Sequence, residues 1–137
     1  MLISFLVWGY FVPKFSKNVN DAIRLLKVGA PLNLFLLVII IYLGPKAGFI
    51  HWALFIVSSI FLSLTQPAVG MAFSLSNAGK ALTSFNLLLF IGAFFMQWVM
   101  GLIIDAGMSL NLSEINSFKL AMIFVLITSL FSYLFFI

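Results

Sequence analysis

"SLSNAGKALTSFNLLLFIGAFFMQWVMGLIIDAG", residues 74–107, decides the fold class. Positions 81–104 carry no charged side chain. At ~1.5 Å per residue, a helix over that run crosses a ~30 Å hydrocarbon core. A barrel strand would instead alternate polar and apolar side chains over about ten residues. Two amides, Asn86 and Gln97, sit inside the run. An amide without a partner in hydrocarbon costs several kcal/mol, so both need a physical reason to be there.

The rest of the chain has the same character. Of its 137 residues, 64% are hydrophobic and 7% charged, with a mean hydropathy of +1.26. Soluble domains average about 25% charged residues, so the solvent for most of this surface is lipid. There is no cysteine, which excludes disulfides and thiolate metal sites. The net charge of +4 reads as a topology signal. No basic run interleaved with aromatics lies outside the apolar stretches, so no nucleic-acid partner is expected.

Uncharged runs at 28–45, 52–75, 81–104 and 120–137 predict four full membrane-spanning helices. With flanking residues these extend over about 25–45, 50–75, 81–105 and 118–137. Residues 1–12 form a shorter apolar run, expected as a partial helix. No basic residue precedes it and no small-residue cleavage site follows, so it does not read as a cleaved signal. The expectation is a single all-α, polytopic membrane domain over 1–137. Its connections are short: GPKAG near 46, SNAGK near 79 and the polar loop 105–119.

Basic residues orient the spans. Lys14, Lys17, Arg24, Lys27 and Lys80 fall on one side, and Lys46 and Lys119 on the other. The positive-inside rule puts the first set, and the C-terminus, in the cytoplasm. Tyr42 and Trp52 then fall at the outer interface, where belt aromatics sit.

Asn86 and Gln97 are eleven residues apart, about 20° on a helical wheel, with Ala93 between them. In the preceding span Ser59, Ser63, Gln66 and Gly70 fall within about 60° on the same rule. Two readings compete. Polar and small residues let membrane helices approach and bond to one another. For Ser59 and Ser63, bonding to their own backbone adds weight to that reading. Alternatively the stripes line a substrate cavity, with Gln66 prominent because Pro67 frees a backbone carbonyl nearby.

Catalytic chemistry is not expected. Asp21, Asp105 and Glu114 lie at span ends or in loops, which leaves no carboxylate for an intramembrane proton relay. The single histidine, His51, reads as an interfacial, hydrogen-bonded side chain. No catalytic set and no metal cluster is visible, and no cofactor is implied.

Read together, two stretches resemble the C-terminal third of a bacterial major facilitator superfamily (MFS) transporter. In "AGKALTSFNLLLFIGAFFMQWVMGLIID", 78–105, the residues Gly79-Lys80, Asn86, Gly92-Ala93-Phe94, Gln97-Trp98, Gly101 and Asp105 stand where one branch of the family commonly has them. This stretch is similar to the family's loop between helices ten and eleven, followed by helix eleven. "GYFVPKFSKN", 9–18, is similar to a degraded G-x-L-x-D-R-x-G-R-R loop. Gly9, Phe11, Lys14 and Lys17 fit that loop. Pro13 replaces its acid and Ser16 its second glycine.

The resemblance implies that the chain runs from the end of helix eight through helix twelve, in a bacterial inner membrane. It implies that Gln66, Asn86, Gln97, Ser59 and Ser63 lie on the cavity helices ten and eleven. Gly9, Lys14 and Lys17 would belong to a cytoplasmic gating loop, and helices nine and twelve would be peripheral. Alternating access needs two halves rocking around a site. The expectation is therefore a truncated or split transporter, or one piece of a two-chain assembly, not competent alone. Its partners would be the bilayer, the absent first half or a second copy, and a small solute. The alternative from another class is a small, non-transporting membrane protein with a structural or interaction role.

Overall fold

The computed structural model describes residues 18–137. The expected partial helix over 1–12, with Gly9, Lys14 and Lys17, lies outside the described residues. Those that are described contain helices and short connections and no strand. Four helical stretches are long and apolar enough to cross a membrane: Val19–Lys46, Phe49–Ala72, Leu75–Ser109 and Glu114–Phe136. The chain is an all-α, polytopic membrane protein.

The first span is α1, Val19–Leu43, closed by a 3-10 turn at Gly44–Lys46. It begins about two turns before the uncharged run, because the carbonyl of Asn18 accepts from the amides of Asp21 (3.1 Å) and Ala22 (3.2 Å). Asp21 in its first turn complements the helix dipole. Gly44 ends the helix at φ +53, a backbone conformation that favours glycine.

Span two is broken in the middle. It comprises α2 (Phe49–Ser59), a 3-10 stretch Ile60–Leu64, and α3 (Thr65–Ala72). Pro67 accounts for the break. It has no amide proton to give the carbonyl of Ser63, and its ring crowds that carbonyl, so the preceding turn tightens.

Span three is α4, Leu75–Ser109, 35 residues long. At ~1.5 Å per residue it exceeds the hydrocarbon thickness and must tilt or protrude. The SNAGK segment, expected as a loop, is its first turns. The carbonyl of Ser74 accepts from the amides of Asn77 and Ala78, both at 2.8 Å, which starts the helix six residues before the apolar run. Only residues 73–74 connect it to span two.

Span four is α5, Glu114–Phe136. The turn before it holds Asn111 at φ 60, and the amide of Leu112 bonds the carbonyl of Gly107 at 3.1 Å. Ser113 caps α5, its hydroxyl accepting from the amide of Asn116 at 3.4 Å. A Cβ at Gly107 would lie 2.6 Å from Ser117 Oγ, so glycine is what lets α4 and α5 meet here.

The spans contact one another in a ring: α1 against span two, α3 against α4, α4 against α5, and α5 back against α1. Their burial is unequal. Ala22, Leu26, Gly29, Asn33, Leu37 and Ile40 form a buried stripe on α1, spaced three and four residues apart. The resemblance had implied a peripheral place for this helix; within the described chain it is the packing centre. Phe61 of span two seats directly on Gly29, where any Cβ would collide with its side chain.

Candidate functional site

The amides and hydroxyls of spans two and three were the expected site. Four hydroxyls of span two turn back on their own helix. Ser58 donates to Phe55 O (2.8 Å), Ser59 to Ile56 O (2.8 Å), Ser63 to Ile60 O (2.6 Å) and Thr65 to Leu62 O (2.7 Å). Each bond reaches back three residues, a local bond that serine and threonine hydroxyls make to the preceding turn of a helix. Ser59 and Ser63 thus already have partners in their own backbone.

The 3-10 winding alters the expected stripe. At three residues per turn, Ile60–Leu64 rotates the chain further than an α-helix does. Ser59 moves about 100° off the line shared by Ser63, Gln66 and Gly70. The stripe in span two is three residues long rather than four.

Gln66 follows directly. Its Nε2 donates to Asn86 Oδ1 at 2.9 Å, joining span two to span three. Gly70, one turn further, faces Leu82 at van der Waals distance, 3.5 Å from where a Cβ would sit. The pair stands at an open face: Gln66 is exposed and Asn86 half-buried.

Gln97 is not drawn into this pair. It lies about 16 Å further along α4, on the Asn86 face by helical spacing. Its side chain is exposed and makes no hydrogen bond among the described residues. Ala93, four residues before it, is exposed, and Gly101, four residues after it, has no atom within 4 Å of a Cβ position. The structure joins two of the three predicted amides and leaves the third on a face that the described residues do not cover.

A polar cluster that sequence reading missed lies on the other side of span two. Asn33 of α1 is buried, and its Nδ2 donates to Ser58 Oγ at 2.8 Å and to Phe55 O at 3.2 Å. Asn33 also borders a cleft of about 270 Å³ with Thr65, Ser129, Ser132 and Tyr133. Tyr133 closes one end, donating to the carbonyl of Lys27 at 2.9 Å. The available signal was the α1 stripe itself: Asn33 stands four residues from both Gly29 and Leu37, on the face that packs.

His51 departs from its expectation. Its Nδ1 is buried and has no hydrogen-bond partner. Tyr42 and Trp52 share one mouth of the bundle, where a cleft of about 500 Å³ opens between α1, span two and α5. No three His, Cys, Asp or Glu residues come together to hold a metal among the described residues.

Fold and site together define a multi-pass helical membrane protein with an amide pair bridging its second and third spans. No family model, curated protein or solved structure matches the chain.

Proposed function

We propose that the chain is part of a secondary transporter of the MFS type, contributing its helices nine to twelve in a bacterial inner membrane, with the C-terminus in the cytoplasm. Gln66, Asn86 and Gln97 form a wall of its solute cavity. The observation that carries this reading is the 2.9 Å Gln66–Asn86 bond on an open face, with the unpartnered Gln97 on the same side of α4. Polar side chains inside membrane spans avoid lipid and mark interior surfaces or pathways. An exposed glutamine on an apolar span is therefore accounted for by a wet cavity between two halves of a transporter.

The reading has a genetic and a functional test. DNA upstream of Met1 coding for the remaining helices supports it; an unrelated gene there removes it. In the transporter assembled with those helices, Gln66→Ala and Gln97→Ala should lower solute uptake more than they lower the amount of protein in the membrane. Normal uptake by both variants overturns the cavity assignment. A reporter active only in the periplasm, fused after Ile137, should stay silent, and activity there overturns the orientation.

One observation favours a second reading. Gln66 and Asn86 bond each other, which is also how amides glue membrane helices together. On that reading the chain is a small structural or interaction protein, and Gln97 is covered by a neighbouring helix rather than by solute.

A further inference from the structure

The cleft of about 500 Å³ at the Tyr42–Trp52 mouth plays no part in the transport reading. It lies between the end of α1, the start of span two and the first turns of α5. Its lining is graded. Ile41, Phe118 and Met122 supply an apolar floor, while Glu114, Asn116 and Lys119 supply a polar rim. Tyr42 and Trp52 stand beside that rim, with 83% and 41% of their surfaces exposed. Aromatics of this kind settle at the level of lipid headgroups.

The two charges on the rim are unused. Glu114 and Lys119 make neither an ion pair nor a side-chain hydrogen bond among the described residues. They are five residues apart on α5, about 140° around the helix, so they do not face each other as an i, i+4 pair would. Both nonetheless border the same cleft. An occupant that meets both must carry both a cation and an anion, above an apolar body.

We propose that this cleft binds a zwitterionic phospholipid, with the headgroup ammonium on Glu114 and the phosphate on Lys119. Tyr42 and Trp52 add their ring faces to the ammonium, and Asn116 offers an amide to the phosphate oxygens. The glycerol and upper acyl carbons lie along Ile41, Phe118 and Met122. The volume lies within the usual range for small-molecule sites, about 300–1,000 Å³. A purely anionic headgroup would meet Lys119 favourably but would also confront Glu114, so the pair of charges selects as well as binds. The assignment does not depend on the transport reading.

The test is lipid retention by the purified, detergent-solubilised chain, read by native mass spectrometry with phosphatidylethanolamine and phosphatidylglycerol of identical acyl chains. Wild type should retain the ethanolamine lipid at least about fivefold over the glycerol lipid, the scale of one surface charge at a membrane. Glu114→Gln should erase that preference. Lys119→Gln should lower retention of both lipids, and Lys119→Arg should restore it. Lys80→Gln, at the far end of the bundle, should change nothing. Circular dichroism confirms that each variant remains helical. Equal retention of the two lipids by wild type, or an unchanged preference in helical Glu114→Gln, overturns the proposal. If free phosphoethanolamine displaces the lipid at equal concentration, the site is one for a soluble ammonium phosphate and the lipid assignment falls.

Discussion

Asn33 and Gln97 are both amides set in uncharged runs of apolar helix, and their surroundings are opposite. Asn33 is 8% exposed and spends both amide protons on span two. Gln97 is exposed and bonds nothing among the described residues. The helices differ in the same way. In span one, 33% of the most apolar window is buried within the described chain; in span three, none is. One amide is part of what holds the bundle together. The other lies on a surface that the described residues leave uncovered.

The first way to break this contrast is at the packing centre. Gly29→Ala places a methyl group against the Cβ and Cγ of Phe61, atoms close to the backbone that cannot swing aside. Overpacking of this kind costs about 1–3 kcal/mol or more. Thermal melts in detergent should show a larger loss for Gly29→Ala than for a leucine at Asn33, Gln66, Asn86 or Gln97. Phe61→Ala should recover part of that loss. A Gly29→Ala protein as stable as wild type would remove α1 from the centre of the fold.

The next largest effect is expected at Asn33. Asn33→Leu fills similar volume but loses two hydrogen bonds across spans one and two. Interhelical bonds in membranes average about 0.6 kcal/mol with a maximum near 1.7, so a loss of about 1 kcal/mol follows. The Ser58 hydroxyl keeps its bond to Phe55 O and is not orphaned. A stabilised Asn33→Leu would show that the cluster is retained for something other than packing.

Much of this is legible in the residues alone. Charge-free runs long enough to cross a bilayer mark four spans, because hydrocarbon forces the backbone to bond within its own helix. The 20° spacing of Asn86 and Gln97 places them on one face of α4. What stays hidden depends on contacts between spans. The helical wheel assumes α geometry, and the 3-10 turns before Pro67 break that assumption for Ser59. Asn33 looks like an incidental polar residue at the head of "NLFLLVIIIYL". Its importance lies in Ser58 and Phe55, which are 25 and 22 residues away. The start of α4 at Leu75 is hidden because the apolar pattern marks where lipid begins, not where the helix does.

Between the extremes lies the Gln66–Asn86 bond. A double-mutant cycle with Gln66→Leu and Asn86→Leu should return a coupling of about 0.6 kcal/mol, the ordinary value for one interhelical hydrogen bond. Zero coupling would separate the pair and leave Gln66 free to serve a cavity on its own. A coupling well above 1 kcal/mol would move both amides to the Asn33 side of the comparison, as structural glue.

The smallest effect on stability is expected at Gln97, and it sharpens the comparison most. Gln97→Leu removes no hydrogen bond within the described chain and exchanges an exposed amide for an apolar side chain on a span. Its melting should stay within about 0.5 kcal/mol of wild type, as for surface substitutions generally, or rise slightly. Under the proposed transport function, Asn33→Leu and Gln97→Leu then part in a second measurement, solute uptake by the chain assembled with the remaining helices. Asn33→Leu should lower uptake only in proportion to protein lost from the membrane. Gln97→Leu should leave the protein in place and lower the uptake itself. If Gln97→Leu lowers stability by as much as Asn33→Leu, a helix within the chain covers it and the bare face of α4 is not bare. If it changes neither stability nor uptake, the amide is tolerated at the surface and the cavity wall ends at Asn86.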